Sequence, residues 1–273
     1  MLEQANEVQE TLGRSYAIGD EVDEDDSTVL HHSVNVACVS KEVLTYLVGM
    51  NKHHLMSQDN DGWTPLHRAC ACGELVTPLE ILPLLIDKEK AVLRMKDIDG
   101  KTPLLVACDS NASLDVIEFL VGLFPCALEI EDNDGRVPLH GACANQVNAS
   151  LEIIQFLVDT NPAMLEIKCR KNGWLPLHVA CFDGMKKSIK FLLEKHPDAT
   201  MEEDYQGRIP LALYSKRDDA DMETLGSLVV NLNHESTKGL DHAGNRPLSV
   251  EQYDSLLAHM VRQASSKRAR TTE

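Results

Sequence analysis

Apolar residues recur along this chain in short bursts with helical spacing, separated by polar turns. VLTYLVGM, LDVIEFLVGLF, LEIIQFLVDT and SIKFLLEK each place apolar side chains at i, i+3 and i+4, which predicts one amphipathic helix apiece. Ser40, Thr77, Ser113 and Ser150 stand where these helices begin and are predicted as N-caps. Thr77-Pro78-Leu79-Glu80 adds capping-box spacing with proline at the first helical position. Pro125, Pro162 and Pro197 follow the helices and are predicted to stop them. Pro83 lies inside the segment after Thr77, so that helix is predicted to kink or to begin late.

A second pattern precedes each of these helices. DNDGWTPLHRAC (from Asp59), DIDGKTPLLVAC (Asp97), DNDGRVPLHGAC (Asp132), RKNGWLPLHVAC (Arg170), DYQGRIPLALYS (Asp204) and DHAGNRPLSVEQ (Asp241) align without gaps, their starts 38, 35, 38, 34 and 37 residues apart. A period in this range predicts a stacked solenoid rather than a globular enzyme domain. The invariant glycine suits a turn that needs positive φ, and the opening aspartate can hold that turn by bonding backbone two residues on. Proline three residues later fits the first helical position, Thr64 and Thr102 before it are predicted N-caps, and the following alanine lets a neighbouring helix approach.

This order of turn, helix, turn and helix, written D-x-x-G-x-T-P-L-H-x-A, resembles the ankyrin repeat over residues 59 to 215 and extends weakly over 29–58 and 241–264. The resemblance implies an all-α ankyrin-repeat solenoid of stacked helix-turn-helix units with β-turn tips. Val137, Leu175 and Ile209 replace the family threonine, and Leu105 and Ala212 its histidine, which puts the local turn network in question there. The expected organisation is an acidic disordered arm at 1–28, a degenerate N-terminal capping repeat at 29–58, and repeats at 59–96, 97–131, 132–169, 170–203 and 204–240. A degenerate C-terminal capping repeat at 241–264 and a basic tail at 265–273 complete it. Ala37-Cys38 is aligned with the Ala-Cys of the later units.

Composition adjusts this picture in a few places. The formal net charge is −17, and nine acids against one base lie in the first 28 residues, where DEVDEDD (Asp20 to Asp26) reads as a self-repelling arm. The acidic balance argues against a nucleic-acid surface, which requires a clustered basic face. Lys267, Arg268 and Arg270 form a basic cluster read as a soluble tail, with a nuclear-import signal as the alternative. MLEQANEVQE lacks a signal-peptide core, and no apolar stretch approaches the roughly 20 residues a membrane helix needs. A cytoplasmic or nuclear protein is expected, and the Asn111 and Asn148 sequons are not expected to be glycosylated.

The recurring His/Cys pairs, His67/Cys70, His140/Cys143 and His178/Cys181, invite a metal or thiol reading. Each pair supplies only two of the four ligands zinc usually takes, and Cys72 adds a third in one unit alone. Cys38, Cys70, Cys108, Cys143 and Cys181 are read as translated copies filling a small buried slot, on helices too far apart for disulfides. The resemblance implies that the histidine serves the turn network. No cofactor or metal is expected, and with no phosphate loop, G-x-S-x-G or H-E-x-x-H, no enzyme.

What remains is surface. The resemblance implies that turn tips and first helices form a concave groove for a partner protein. The matching positions include Asn60, Asp61, Ile98, Asp99, Asn133, Asp134, Lys171 and Asn172 at tips, with Asp109, Asn145, Phe182 and Asp183 on first helices. The candidate binding residues are Trp63, Lys101, Arg136, Trp174, Tyr205 and Arg208, because tryptophan and arginine are enriched at binding hot spots. Each indole is read either as an anchor or as packing across the adjacent turn. The expected function is a monomeric, non-enzymatic scaffold or adaptor. The alternatives are a nuclear regulatory subunit imported through its tail and a metal- or thiol-dependent enzyme.

Overall fold

The computed structural model describes residues 22–34, 41–71, 79–86, 88, 90–144 and 151–236. Expectations placed on Ser40, Cys38, Cys72, Thr77, Asn145, Asn148, Ser150, the copy from Asp241, the unit 241–264, the tail 265–273 and residues 1–21 lie outside them. The regular elements among the described residues are α-helices and 3-10 turns. They fall into two compact units, divided after Met164.

The first unit contains α1 (Val29–Ser33), α2 (Lys41–Met50), α3 (Pro65–Ala71), α4 (Pro103–Asp109), α5 (Leu114–Leu123), α6 (Pro138–Cys143) and α7 (Leu151–Thr160). The short motif helices α1, α3, α4 and α6 pack one on the next, and α5 packs against α7 in a second layer. The second-layer helices bury a repeated face: Val43, Leu44, Leu47 and Val48 in α2, Val116, Ile117, Leu120 and Val121 in α5, Ile153, Ile154, Leu157 and Val158 in α7. Each such side chain contributes roughly 1.5–3 kcal/mol when fully buried. Between α3 and α4 the expected second-layer helix is reduced to a 3-10 turn, Leu82–Leu85, with Pro83 near its start.

In the second unit, α8 (Pro176–Asp183) packs on α10 (Pro210–Tyr214), and α9 (Lys186–Lys195) on α11 (Met222–Ser236). Ile189, Leu192 and Leu193 bury one face of α9. Pro125 and Pro197 follow the helices they were expected to stop, and each opens a 3-10 turn.

Several expectations change. Residues 23–28 are not arm but the first turn and cap of a repeat. Asp23 Oδ1 accepts the N–H groups of Asp25 (2.9 Å) and Ser27 (2.8 Å), as Asp59 Oδ1 accepts those of Asp61 (3.0 Å) and Trp63 (2.9 Å). Asp26 takes the glycine position at φ 56°, a left-handed conformation that aspartate tolerates better than most residues. Thr28-Val29-Leu30-His31 then stands for Thr-Pro-Leu-His. The register moves with it: Val34, not Cys38, is the counterpart of Cys70.

A second correction concerns the copy expected to open at Arg170. Cys169 N–H bonds the Trp174 carbonyl and Gly173 N–H the Cys169 carbonyl, so the turn opens one residue earlier and carries an inserted residue. Asn172 Oδ1 takes over the aspartate's role, accepting Trp174 N–H at 3.0 Å and the Cys169 thiol at 2.6 Å. Ser113 holds the N-cap position of α5, but through backbone alone; its hydroxyl caps nothing.

Candidate functional site

Each repeat tip is held by bonds within the turn and bonds to its neighbour. In the first unit, Asn60 N–H donates to Asp25 O (2.9 Å), Ile98 N–H to Asp61 O (3.1 Å) and Asn133 N–H to Asp99 O (2.9 Å). In the second, Tyr205 N–H donates to Asn172 O at 3.0 Å. This close approach explains the glycines beyond their positive φ. A Cβ on Gly62 would stand 2.8 Å from Ile98 N, and one on Gly100 2.7 Å from Asn133 N.

The histidines complete the stapling. Thr64 N–H donates to His67 Nδ1 (3.2 Å), which fixes the proton on Nε2, and Nε2–H donates to Lys101 O (3.1 Å). His31 bonds Thr28 N–H and Trp63 O in the same way, and His178 bonds Leu175 N–H and Arg208 O. Where Val137 and Leu175 replace threonine, only the hydroxyl contact is lost; their backbone N–H groups still reach Nδ1 of His140 and His178. Burial pushes His67 and His178 down to about 4, so these imidazoles are neutral at pH 7. With one nitrogen accepting and the other donating, neither His67 nor His178 presents a lone pair to a metal. Cys70, Cys108, Cys143 and Cys181 are buried, and burial drives Cys108 further from the thiolate.

The residue after each glycine was the main candidate for binding. Its backbone is fixed on both sides, and its side chain is engaged within the molecule. Trp63 is half-buried beneath the Arg68 guanidinium, 4.9 Å from the ring centre, while Arg68 also grips the buried carboxylate of Asp59 at 2.7 Å. Lys101 and Arg136 converge on the Asp109 carboxylate at 2.9 and 2.5 Å. Gly141 leaves the room this carboxylate occupies. Trp174 Nε1 donates to Asp204 (3.0 Å), whose carboxylate also holds Arg208 at 2.6 Å. Burial raises Asp204, but the bonds from Arg208 and Trp174 outweigh it and hold it at about 2.

Tyr205 differs: it is 67% exposed, with its ring lying over Gly173. Two residues outside the candidate six join it as large exposed apolar groups on the same surfaces. Ile98 is 64% exposed at a first-unit tip, and Phe182, 51% exposed at the end of α8, stacks on Trp174 with ring centres 5.0 Å apart. Both sat among the surface positions in sequence, but ranking by residue type favoured tryptophan and arginine over them. The signal that separates them is tip position: Asn60 and Asn133, equivalent to Ile98 and Tyr205, spend their amides on Glu24 O and Ile98 O.

The family described as ankyrin repeats (3 copies) matches residues 30–129, 76–164 and 115–203. The chain belongs to the ankyrin-repeat family. Among solved structures it is similar to the ankyrin repeat domain of Bcl-3, described as a unique member of the IkappaB protein family. The likeness has 21% identity and a TM-score of 0.60, and covers 84% of this chain and 92% of that one. At this identity the likeness bears on the fold. No curated protein matches. Ankyrin repeats are generally protein–protein interaction modules and typically non-enzymatic. Among the described residues, no helix is long and apolar enough to cross a membrane.

Proposed function

We propose that this ankyrin-repeat chain is a non-enzymatic adaptor or scaffold that binds a partner protein through its turn tips and first helices. The observation that carries the reading is the contrast between buried chemistry and exposed apolar surface. The imidazoles of His67 and His178 and the thiols of Cys70, Cys108, Cys143 and Cys181 are buried in the stack. Large apolar side chains stand in solvent at Ile98, Tyr205 and Phe182. Isolated exposed apolar residues are ordinary, but these occupy equivalent tip positions or stack against one.

In the first unit Trp63, Lys101 and Arg136 brace the tips that carry Ile98, and in the second Trp174 and Arg208 brace those where Tyr205 makes contact. Affinity capture with quantitative mass spectrometry tests the reading on the full chain. Proteins retained by the parent should be lost with Phe182→Ser/Tyr205→Ser, which keeps the Asp204 network. Retention of the same set at the same level by that variant contradicts the assignment.

A further inference from the structure

The last second-layer helix, α11, has an outer stripe unlike those of its predecessors. In α9, Lys186 and Lys190 reach forward to the start of α11: Lys186 holds Asp221 at 3.0 Å, and Lys190 bonds Glu223. α11 buries Thr224, Leu225, Leu228 and Val229 as α9 buries Ser188, Ile189, Leu192 and Leu193. In this register Met222, Gly226 and Val230 take the places of Lys186, Lys190 and Glu194. Met222 and Val230 are exposed, and a Cβ on Gly226 would meet nothing within 4 Å. The same stripe is Leu114, Glu118 and Gly122 in α5 and Leu151, Gln155 and Asp159 in α7, where neither leucine is fully open to solvent.

The bare face belongs to the second layer alone. In α10, beneath it in sequence order, Leu211, Leu213 and Tyr214 are all buried. A stripe that in α9 grips its successor through charge is apolar in α11, so it suits a successor that is apolar at the matching places.

Beyond Ser236 the sequence supplies such a helix. Leu256-Leu257 and Met260-Val261 repeat the two adjacent pairs, four residues apart, that α5, α7, α9 and α11 bury. That register puts Tyr253 in the place of Asp221 and Ser255 in the place of Glu223. Both sides of the contact therefore change together. Where Lys186 meets Asp221, Met222 would meet Tyr253, a favourable pairing of thioether and ring. Where Lys190 meets Glu223, Gly226 would meet Ser255, two small residues that let helices approach closely. Pro247 to Leu256 spans fewer residues than Pro176 to Ser188 or Pro210 to Thr224, too few for a first helix and its turn.

We infer that residues 253–261 dock as a single helix on the Met222/Gly226/Val230 stripe of their own chain, extending the second layer by one helix with no counterpart in the first. The capping repeat expected at 241–264 is thereby reduced to one helix with a defined seat.

Amide hydrogen exchange of the full chain, read by mass spectrometry, tests the docking. Amides 255–262 should exchange about tenfold more slowly than in a free peptide of residues 248–264. Met222→Glu/Val230→Glu on the seat and Tyr253→Glu on the segment should each abolish that protection while α8 and α9 keep theirs. Gly226→Cys/Ser255→Cys should be joined by a short bis-maleimide within one chain, in a yield independent of protein concentration. Exchange of 255–262 at the free-peptide rate in the parent overturns the inference, as does protection that survives both sets of glutamate substitutions. Linkage only between two chains would make a second copy the occupant and overturn it too. So would protection that arises only when a protein retained in affinity capture is added, which would assign the stripe to that partner.

Discussion

The tips of the first unit and those of the second are built on one backbone plan and present different surfaces. In the first unit the side chains after the glycines close on internal partners, Trp63 on Arg68 and Lys101 and Arg136 on Asp109. The exposed edge left there is acidic, with Ile98 as its large apolar group. In the second unit Trp174 and Arg208 close on Asp204 just as firmly, yet the adjoining positions are aromatic and open. The position after the glycine is therefore mainly a brace, and the exposed apolar side chains stand instead at the tip residue before it and at the end of the first helix.

The shared part of the comparison fails first on acidification. The folded values of His67 and His178, about 4, lie below the ordinary imidazole value of about 6.5. The unfolded chain therefore takes up protons first. Their contribution is complete above pH about 6.5 and falls as pH drops toward 4, by on the order of 3 kcal/mol per imidazole. His31 is lowered as well, so it adds in the same direction. Denaturant titrations across this range should show both units weakening; a flat profile would contradict the neutral stapling role.

The glycines sharpen the contrast. Gly100→Ala combines positive φ with a Cβ pressed against the next tip and should cost roughly 2–3 kcal/mol. At Gly207 nothing lies closer than 3.9 Å to such a Cβ, so alanine meets φ strain alone, at about 1 kcal/mol. Equal losses for the two, read from unfolding midpoints, would remove the tip-to-tip approach as a cause.

The tryptophans divide next. Trp174→Phe removes the indole N–H from Asp204 and should cost about 1 kcal/mol, while Trp63→Phe keeps its ring beneath Arg68 and should cost less. The reverse order in parallel denaturant titrations would mean that the stack, not the hydrogen bond, does the bracing. The smallest effect is expected for Tyr205→Ser, within about 0.5 kcal/mol of the parent, because its side chain is largely in solvent.

Much of this was legible in sequence where chemistry forces a residue type. Positive φ with close approach demands Gly62 and Gly100, the first helical turn accepts Pro65 and Pro103, and the buried thiols follow from their fixed place in the motif. The first repeat escaped because Asp26 adopts the glycine conformation and Val29 replaces proline, so the turn is hidden in an acidic run that composition assigns to an arm. The turn at Cys169 escaped because an inserted residue is absorbed by Asn172, which mimics the aspartate two places away. The bracing of Lys101 and Arg136 was beyond reach for a different reason. Their common partner, Asp109, is 27 residues from Arg136, and only the stacking of α4 on α6 joins them.

The division of labour between brace and contact is tested most directly by measuring unfolding free energy and binding of a protein retained in affinity capture on the same preparations of Trp174→Phe and Tyr205→Ser. The account predicts that Trp174→Phe loses about 1 kcal/mol of stability with binding changed little, whereas Tyr205→Ser keeps its stability and binds about tenfold more weakly. Tyr205→Ser binding as tightly as the parent while Trp174→Phe loses binding at full stability would contradict it.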